Sequence, residues 1–259
     1  MTTPVEDRRS NIRDIRLGGQ RVDLLQHEQA IGAVEAALDG RRRPLWLASA
    51  NLDHVYRFEG EADLFESSDD GQWLVLLDGM PLVWATNRRT GRRWDQLAGS
   101  DLLPELLGLA ERRGDRVGFL GGTDELKAEL PRALEERWPE LDVAGHWTPP
   151  RAVVEDPSAS TDLAGAVADA GVDLLVVGLG KPRQERWIRR HAATTGAKVS
   201  CAFGASADFI AGRVQRAPEA MSKMGGEWLY RLYKEPRRLA KRYLAEGPVA
   251  MTRVLTRAS

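Results

Sequence analysis

Four places in the chain set polar or glycine-rich residues directly after a short apolar run. Ser49-Ala50-Asn51 follows Leu45 to Ala48, and Asp78-Gly79-Met80-Pro81 follows Trp73 to Leu77. Gly121-Gly122-Thr123-Asp124 follows Val117 to Leu120, and Gly178-Leu179-Gly180-Lys181-Pro182-Arg183-Gln184-Glu185 follows Leu174 to Val177. In an open α/β sheet, ligands bind outside the carboxyl ends of the strands, so these residues are the ones placed to do chemistry. Asp78 is the sharpest: a carboxylate at the end of an apolar strand, followed by a glycine that lets the backbone turn. It reads either as a general base held on a rigid element or as a turn or cap aspartate. Asn51 suits a substrate hydroxyl or a simple cap. Glu185 is a rival base, although its neighbours Arg183 and Arg186 suggest an ion-paired helix surface.

Other motifs narrow the chemistry. Gly121-Gly122-Thr123 feeds a helix N-terminus, where free N–H groups and the helix dipole suit a phosphate or another polar group. Gly178-Leu179-Gly180 opens like a dinucleotide fingerprint, but Arg183 stands where the third glycine belongs, which weighs against an oxidoreductase. There is no P-loop. The four histidines, His27, His54, His146 and His191, are scattered with no ligand spacing, so no metal is expected. No D-x-D triplet is present to hold a cation on a diphosphate, and no cofactor is implied. Arginines would have to stabilise any diphosphate, and Arg216, Arg231, Arg237 and Arg238 are the candidates.

The elements that must position these residues alternate in type. Strands are expected at Leu45 to Ala48, Trp73 to Leu77, Val117 to Leu120, Leu141 to Ala144, Leu174 to Val177 and Val199 to Phe203. Helices are expected at His27 to Leu38, Leu52 to Phe65, Leu82 to Arg89, Leu102 to Arg113, Asp124 to Trp138, Leu163 to Ala170 and Pro182 to Ala193. Ser100 or Asp101, Thr123 and Pro182 supply helix starts. Thr148 to Ser160, with Pro149, Pro150 and Pro157, reads as a loop. The pattern is an open α/β fold, a Rossmann-like and mostly parallel sheet with helices on both faces.

Composition bounds the partners. The chain has 259 residues, 42% hydrophobic and 29% charged, with a net charge of -1, which argues against a nucleic-acid binder. The charge is uneven: from Arg213 onward eleven Lys and Arg face four Asp and Glu, a net of +7. Trp228, Leu232, Leu239 and Tyr243 fall near one helical face there, with basic residues over much of the rest and Pro236 as a break. Residues 1–212 thus read as the α/β core and 213–259 as a basic amphipathic helical appendage. That appendage suits an anionic membrane surface or a solvated surface helix equally well. Cys201, the only cysteine, sits in an apolar run and reads as a buried strand residue of a reducing compartment. No window approaches the roughly 18 apolar residues of a spanning helix, and the first thirteen residues carry no leader-like apolar stretch. A cytosolic protein, or one lying on a membrane without crossing it, is expected.

Six blocks in order resemble the WecG/TagA/CpsF family of bacterial glycosyltransferases, glycosyltransferase family 26. They are Ala50-Asn51-Leu52-Asp53-His54-Val55, Leu77-Asp78-Gly79-Met80-Pro81, Gly99-Ser100-Asp101-Leu102, Leu120-Gly121-Gly122, Val177 to Glu185, and the tail from Phe203 through Arg216-Ala217-Pro218 to Glu227-Trp228-Leu229-Tyr230-Arg231-Leu232 and Glu235-Pro236-Arg237-Arg238-Leu239. The resemblance implies an inverting, metal-independent transfer of a hexose from a UDP-sugar to a polyprenyl-diphosphate-linked sugar. It places the protein on the inner face of the bacterial cell membrane. Typical members add N-acetylmannosamine or its uronic acid to N-acetylglucosaminyl-diphospho-undecaprenol, in cell-surface polysaccharide or teichoic acid synthesis. By the same resemblance Asp78 takes the place of the catalytic aspartate, and Ser49 and Asn51 match the early substrate-binding loop. Gly79, Gly121, Gly122, Gly180, Lys181, Gln184, Glu185 and Asp208 are then expected at the substrates, with Arg216, Arg231, Arg237 and Arg238 on the diphosphate. The second glycine of Gly225-Gly226 and the Ser206-Ala207-Asp208 loop depart from the family pattern, so donor identity is not carried over. A UDP-glucose or other UDP-hexose transferase is the near alternative. A dinucleotide oxidoreductase and a non-catalytic lipid- or nucleotide-binding module are the distant ones. The sequence leaves room for a homo-oligomer.

Overall fold

The structure, a computed structural model, describes residues 13–214, 230, 232 and 236–257. Eight strands form one sheet in the order β1-β2-β4-β3-β8-β7-β5-β6. They are β1 (Arg13–Leu17), β2 (Gln20–Leu24), β3 (Leu45–Ala50), β4 (Gln72–Leu77), β5 (Val117–Gly121), β6 (Val143–Trp147), β7 (Leu174–Gly178) and β8 (Val199–Ala202). Only β1 runs antiparallel to its neighbour. The helices before the tail are α1 (His27–Leu38), α2 (Leu52–Arg57), α3 (Met80–Thr90), α4 (Gly99–Arg113), α5 (Asp124–Arg137), α6 (Arg151–Glu155), α7 (Pro157–Asp169), α8 (Arg183–Thr195) and α9 (Ser206–Ile210).

Parallel strands need both faces covered, and the period-two alternation of side chains divides the core in two. Leu45, Leu47, Leu74, Leu76, Phe119, Val176 and Cys201 pack under α1, α4 and α5 on one face. Trp46, Ala48, Trp73, Val75, Leu77, Leu175 and Ala202 pack under α2, α3, α7 and α8 on the other. Trp46 and Trp73 meet edge to face at 5.5 Å, a geometry worth about 0.5–1.5 kcal/mol beyond burial. Cys201 is buried within the first core, which pushes its thiol pKa up and keeps it unreactive.

The structure differs from expectation in five places. The hairpin β1–β2 was not expected. Its signal is a Gly18-Gly19 turn with both φ positive, flanked by alternating Ile15, Leu17, Val22 and Leu24. The helix expected to run to Phe65 stops at Arg57, because the chain turns at Gly60 with φ +78° before a single 3₁₀ turn, Ala62–Phe65. Thr148 to Ser160 is not a loop throughout. It holds α6 and the start of α7, where Asp156 accepts from Ala159 N at 2.8 Å and Pro157 occupies the first turn, where its missing N–H costs nothing. Helix α4 begins at Gly99 rather than at a Ser100 or Asp101 cap, and a Cβ on Gly99 would lie 2.6 Å from the Phe203 ring. Strand β6 lies two to three residues later than Leu141 to Ala144.

The tail resumes at Pro236–Ala240, continues as one π-helical stretch, Lys241–Glu246, and ends in a C-terminal helix, Gly247–Thr256. That helix buries Ala250 and Val254 against the second core and contacts α2, α3 and β1. Leu239 is buried, Leu232 and Tyr243 half-buried, and Trp228 lies outside the described residues.

Candidate active site

The carboxyl ends of β3, β4, β5, β7 and β8 open onto one cleft of about 670 Å³, a size ordinary for a small-molecule site. Strands β3 and β4 meet closely there. The Ala50 carbonyl accepts from both Asp78 N (3.0 Å) and Gly79 N (3.1 Å), locking the turn after β4 against the end of β3. Asn51 caps α2 with its Oδ1, which accepts from His54 N at 3.2 Å. That bond directs the amide nitrogen the other way, and Asn51 Nδ2 donates to Asp78 Oδ2 at 3.0 Å. Asn51 is therefore both cap and partner of the carboxylate. Gly79 permits the approach, since a Cβ there would lie 2.9 Å from Asn51 Cβ. Asp78 is half-buried on the cleft wall with Ser49, Asn51, Gln96 and Ser100.

Across the cleft, the turn after β5 is built on backbone contact. Gly121 (φ +103°) stands opposite Gly178, and a Cβ on it would lie 2.4 Å from the Gly178 carbonyl oxygen. His146 Nε2 donates to the Gly121 carbonyl at 2.9 Å, and burial keeps its imidazole pKa below the usual value. Thr123 caps α5 as expected, accepting from Leu126 N at 3.3 Å. Asp124 and Glu125 then occupy the first turn of α5 and meet its dipole themselves. Of the phosphate or other polar group expected at this helix start, a hydroxyl or N–H donor suits the acidic first turn better.

Gln184 organises the third loop from below. Its Oε1 accepts from Gly180 N (3.1 Å), and its Nε2 donates to the Ala202 carbonyl (2.9 Å) and Glu185 Oε1 (3.1 Å). It is 2% exposed, so it staples the β7 loop to the end of β8. Glu185 corrects the ion-paired-surface reading. It is Arg186 that turns outward to Glu61, while Glu185 has no exposed surface and pairs with Lys181 at 4.0 Å. Lys181 lines the cleft and donates from its ammonium to the Ser49 carbonyl. Asp208 also lines the cleft and ion-pairs with Arg213 at 3.6 Å.

The cations differ from those expected. Arg216 and Arg231 lie outside the described residues, as does the side chain of Arg238, and Arg237 is exposed away from the cleft lining. The guanidinium groups found on the cleft are Arg57, Arg151, Arg183 and Arg242. Arg57 binds Asp53 at 3.2 Å and Glu246 at 3.0 Å, and Arg242 lies 3.7 Å from Asp53. This network fastens the π-helical stretch to α2, one residue from Asn51. Asp53 and Arg242 escaped sequence reading. Asp53 stood only within a family block, and Arg242 only among several basic tail residues. His54 is enclosed by Phe58 and Phe65 at 4.7 Å, and burial holds it neutral, well below its usual pKa.

A carboxylate on rigid strand ends, beside a polar cleft lined by guanidinium groups, suits an α/β enzyme of the group-transfer class. Within that class, the chain belongs to the WecG/TagA/CpsF family of glycosyl transferases, whose model matches residues 15–259. It is 28% identical over 225 residues to the N-acetylglucosaminyldiphosphoundecaprenol N-acetyl-beta-D-mannosaminyltransferase of Bacillus subtilis (strain 168), covering 87% of this chain and 80% of the relative. A relative of the same name from Staphylococcus aureus (strain MRSA252) is 28% identical over 215 residues, with 81% and 79% covered. The family resemblance read from the six sequence blocks is met, and the oxidoreductase reading falls.

Proposed function

We propose that this chain moves N-acetylmannosamine from a UDP-linked donor to an N-acetylglucosaminyl-diphospho-polyprenol, with inversion at the transferred carbon. The observation carrying the mechanism is the Asn51–Asp78 pair at the meeting of β3 and β4. Asp78 takes the proton from the acceptor hydroxyl as that oxygen forms its bond to the sugar's C1. The C1–O bond to the diphosphate breaks, and UDP leaves with the electron pair. Asn51 holds the carboxylate in line. Charge growing on the leaving diphosphate is met by guanidinium groups around the cleft, Arg242 among them, which act without a metal. Arg216, Arg231 and Arg238 belong to the same proposed set of diphosphate-binding arginines. The glycine turns at Gly121–Gly122 and Gly180 bring backbone close to the nucleotide end. The two relatives' names make N-acetylmannosamine the favoured donor sugar over glucose. The test is a panel of UDP-hexoses offered with a lipid-diphosphate-linked N-acetylglucosamine. Release of UDP is expected with the N-acetylmannosamine donor; release with UDP-glucose alone would reverse the choice.

The lipid-linked acceptor implies work at a membrane surface. No helix among the described residues is long and apolar enough to cross a bilayer. Trp84 on α3 is 53% exposed, and Leu244 and Leu255 in the tail are 64% and 65% exposed. Arg89 ties α3 to the C-terminal helix through the Val254 carbonyl at 2.6 Å. These apolar groups beside exposed Arg88, Arg237 and Lys241 suit peripheral contact with an anionic leaflet. The protein should float with phosphatidylglycerol vesicles, release as salt rises, and bind more weakly as the Trp84→Ser/Leu244→Ser double variant. Failure of the native chain to float would remove the membrane role.

A further inference from the structure

We propose that Asp53 is a positioning residue for the donor's diphosphate, holding Arg57 of α2 and Arg242 of the tail as a clamp on the leaving group. The role rests on the reading that the donor is a UDP-sugar. Asp53 sits in the first turn of α2, just after the cap Asn51 and Leu52, and only 8% of it is exposed. Its Oδ1 accepts from Arg57 Nε at 3.2 Å and stands 3.7 Å from Arg242 Nε. Asp53, Arg57 and Arg242 all line the cleft that holds Asp78. One buried carboxylate oxygen therefore gathers, at the wall of the cleft, two guanidinium groups that are far apart in the chain.

A strut between α2 and the tail would not need this arrangement. One well-placed cation answers a buried carboxylate, and a second like charge beside the first is repelled by it. The charges do not cancel within the group either. Glu246, 5% exposed, takes Arg57 Nη2 at 3.0 Å and Lys241 Nζ at 3.6 Å. Arg57, Lys241 and Arg242 thus face Asp53 and Glu246, and among these five a positive charge is left over at the cleft. A diphosphate answers that charge. Asp53 approaches Arg242 at Nε, the stem end of the guanidinium, which is compatible with phosphate on the terminal Nη groups. An arginine loses rotamer freedom when it grips phosphate, and anchoring at Nε removes part of that loss beforehand.

The sign of one substitution separates positioning from plain charge balance. Asp53→Asn takes a negative charge away from an anion site, so if Asp53 were only a counter-ion the variant would bind UDP more tightly. Positioning gives the opposite sign. The UDP Kd, by calorimetry, is expected to rise about tenfold in Asp53→Asn, with UMP, which lacks the second phosphate, affected little. Donor kcat/KM should fall with it while the KM for acceptor holds. In an Arg57→Gln/Arg242→Gln background the same change should weaken UDP no further, because the groups Asp53 acts through are gone. Should Asp53→Asn fail to fold, Asp53→Glu displaces the charge by one methylene and Arg242→Gln removes one guanidinium. Both should lower the preference for UDP over UMP, and a preference unmoved in either would overturn the assignment. So would tighter or unchanged UDP binding in Asp53→Asn, equal weakening of UDP and UMP, or an undiminished loss in the double background. A native chain that binds UDP no better than UMP would instead remove the diphosphate reading beneath it.

Discussion

Asp78→Asn should lower transfer by about a hundredfold to ten-thousandfold while leaving UDP affinity nearly unchanged, the scale of loss when a positioned general base is removed. The substitution keeps shape and nearly keeps the hydrogen bonding. The new amide oxygen still accepts from Asn51 Nδ2, and the Ala50 carbonyl still holds the backbone of residues 78 and 79. What disappears is a group able to take the acceptor's proton. Because Asp78 stands on the β3–β4 side of the cleft and the Gly121 and Gly180 loops on the other, nucleotide contacts should survive. Paired measurements of turnover and UDP binding by calorimetry check this. Unchanged turnover would remove Asp78 from the chemistry, and a parallel loss of UDP binding would make it a binding group.

Gly121→Ala is expected to be the most damaging single-methyl change at the site. Its Cβ would sit 2.4 Å from the Gly178 oxygen and 2.5 Å from the Gly178 carbon, both backbone atoms of a paired strand that cannot rotate away. The φ of +103° adds strain for any L side chain. Together these should cost roughly 2–5 kcal/mol. The strain would open the β5–β7 strand ends, so UDP affinity should fall along with the melting temperature. Gly196→Ala offers a contrast, since its added Cβ meets nothing within 4 Å and carries only the positive-φ cost. Thermal melts and UDP titrations of both variants separate collision from backbone strain. Equal losses in the two would show that the close approach at Gly121 carries no weight.

The parts of the site readable in sequence were those with a one-dimensional signature. Asp78 and Asn51 each follow an apolar strand, and the strand-end rule for open sheets brings them to one edge. The parallel core was readable because β3, β4, β7 and β8 are apolar on both faces. The hairpin at Arg13–Leu24 was hidden because Asp14, Arg16, Arg21 and Asp23 alternate with its apolar residues. The proline-rich stretch misled because Pro150 and Pro157 each stand at a helix start, where proline is tolerated. Glu185 and Arg186 could not be sorted by spacing. Neighbours on a helix point about 100° apart, and only the packed sheet decides which of them turns inward. The same holds for Arg242, whose meaning depends on Asp53, a residue far away in the chain.

Lys181 shows how the fold links these pieces. One side chain from the β7 loop ties together the end of β3 and the buried Glu185. The π-helical stretch of the tail fastens to α2 on the other side of the same strand end, through Arg57 and Glu246. The end of β3, beside the proposed base, is thus held between the core and the tail.

Direct transfer by a base-activated acceptor has one consequence that no double displacement shares. When the purified chain is given α-linked UDP-N-acetylmannosamine and a lipid-diphosphate-linked N-acetylglucosamine, ¹H and ¹³C spectra of the first-formed disaccharide should show a β linkage. An α linkage would contradict the account, because retention requires a second nucleophilic step that Asp78 acting as a base does not provide.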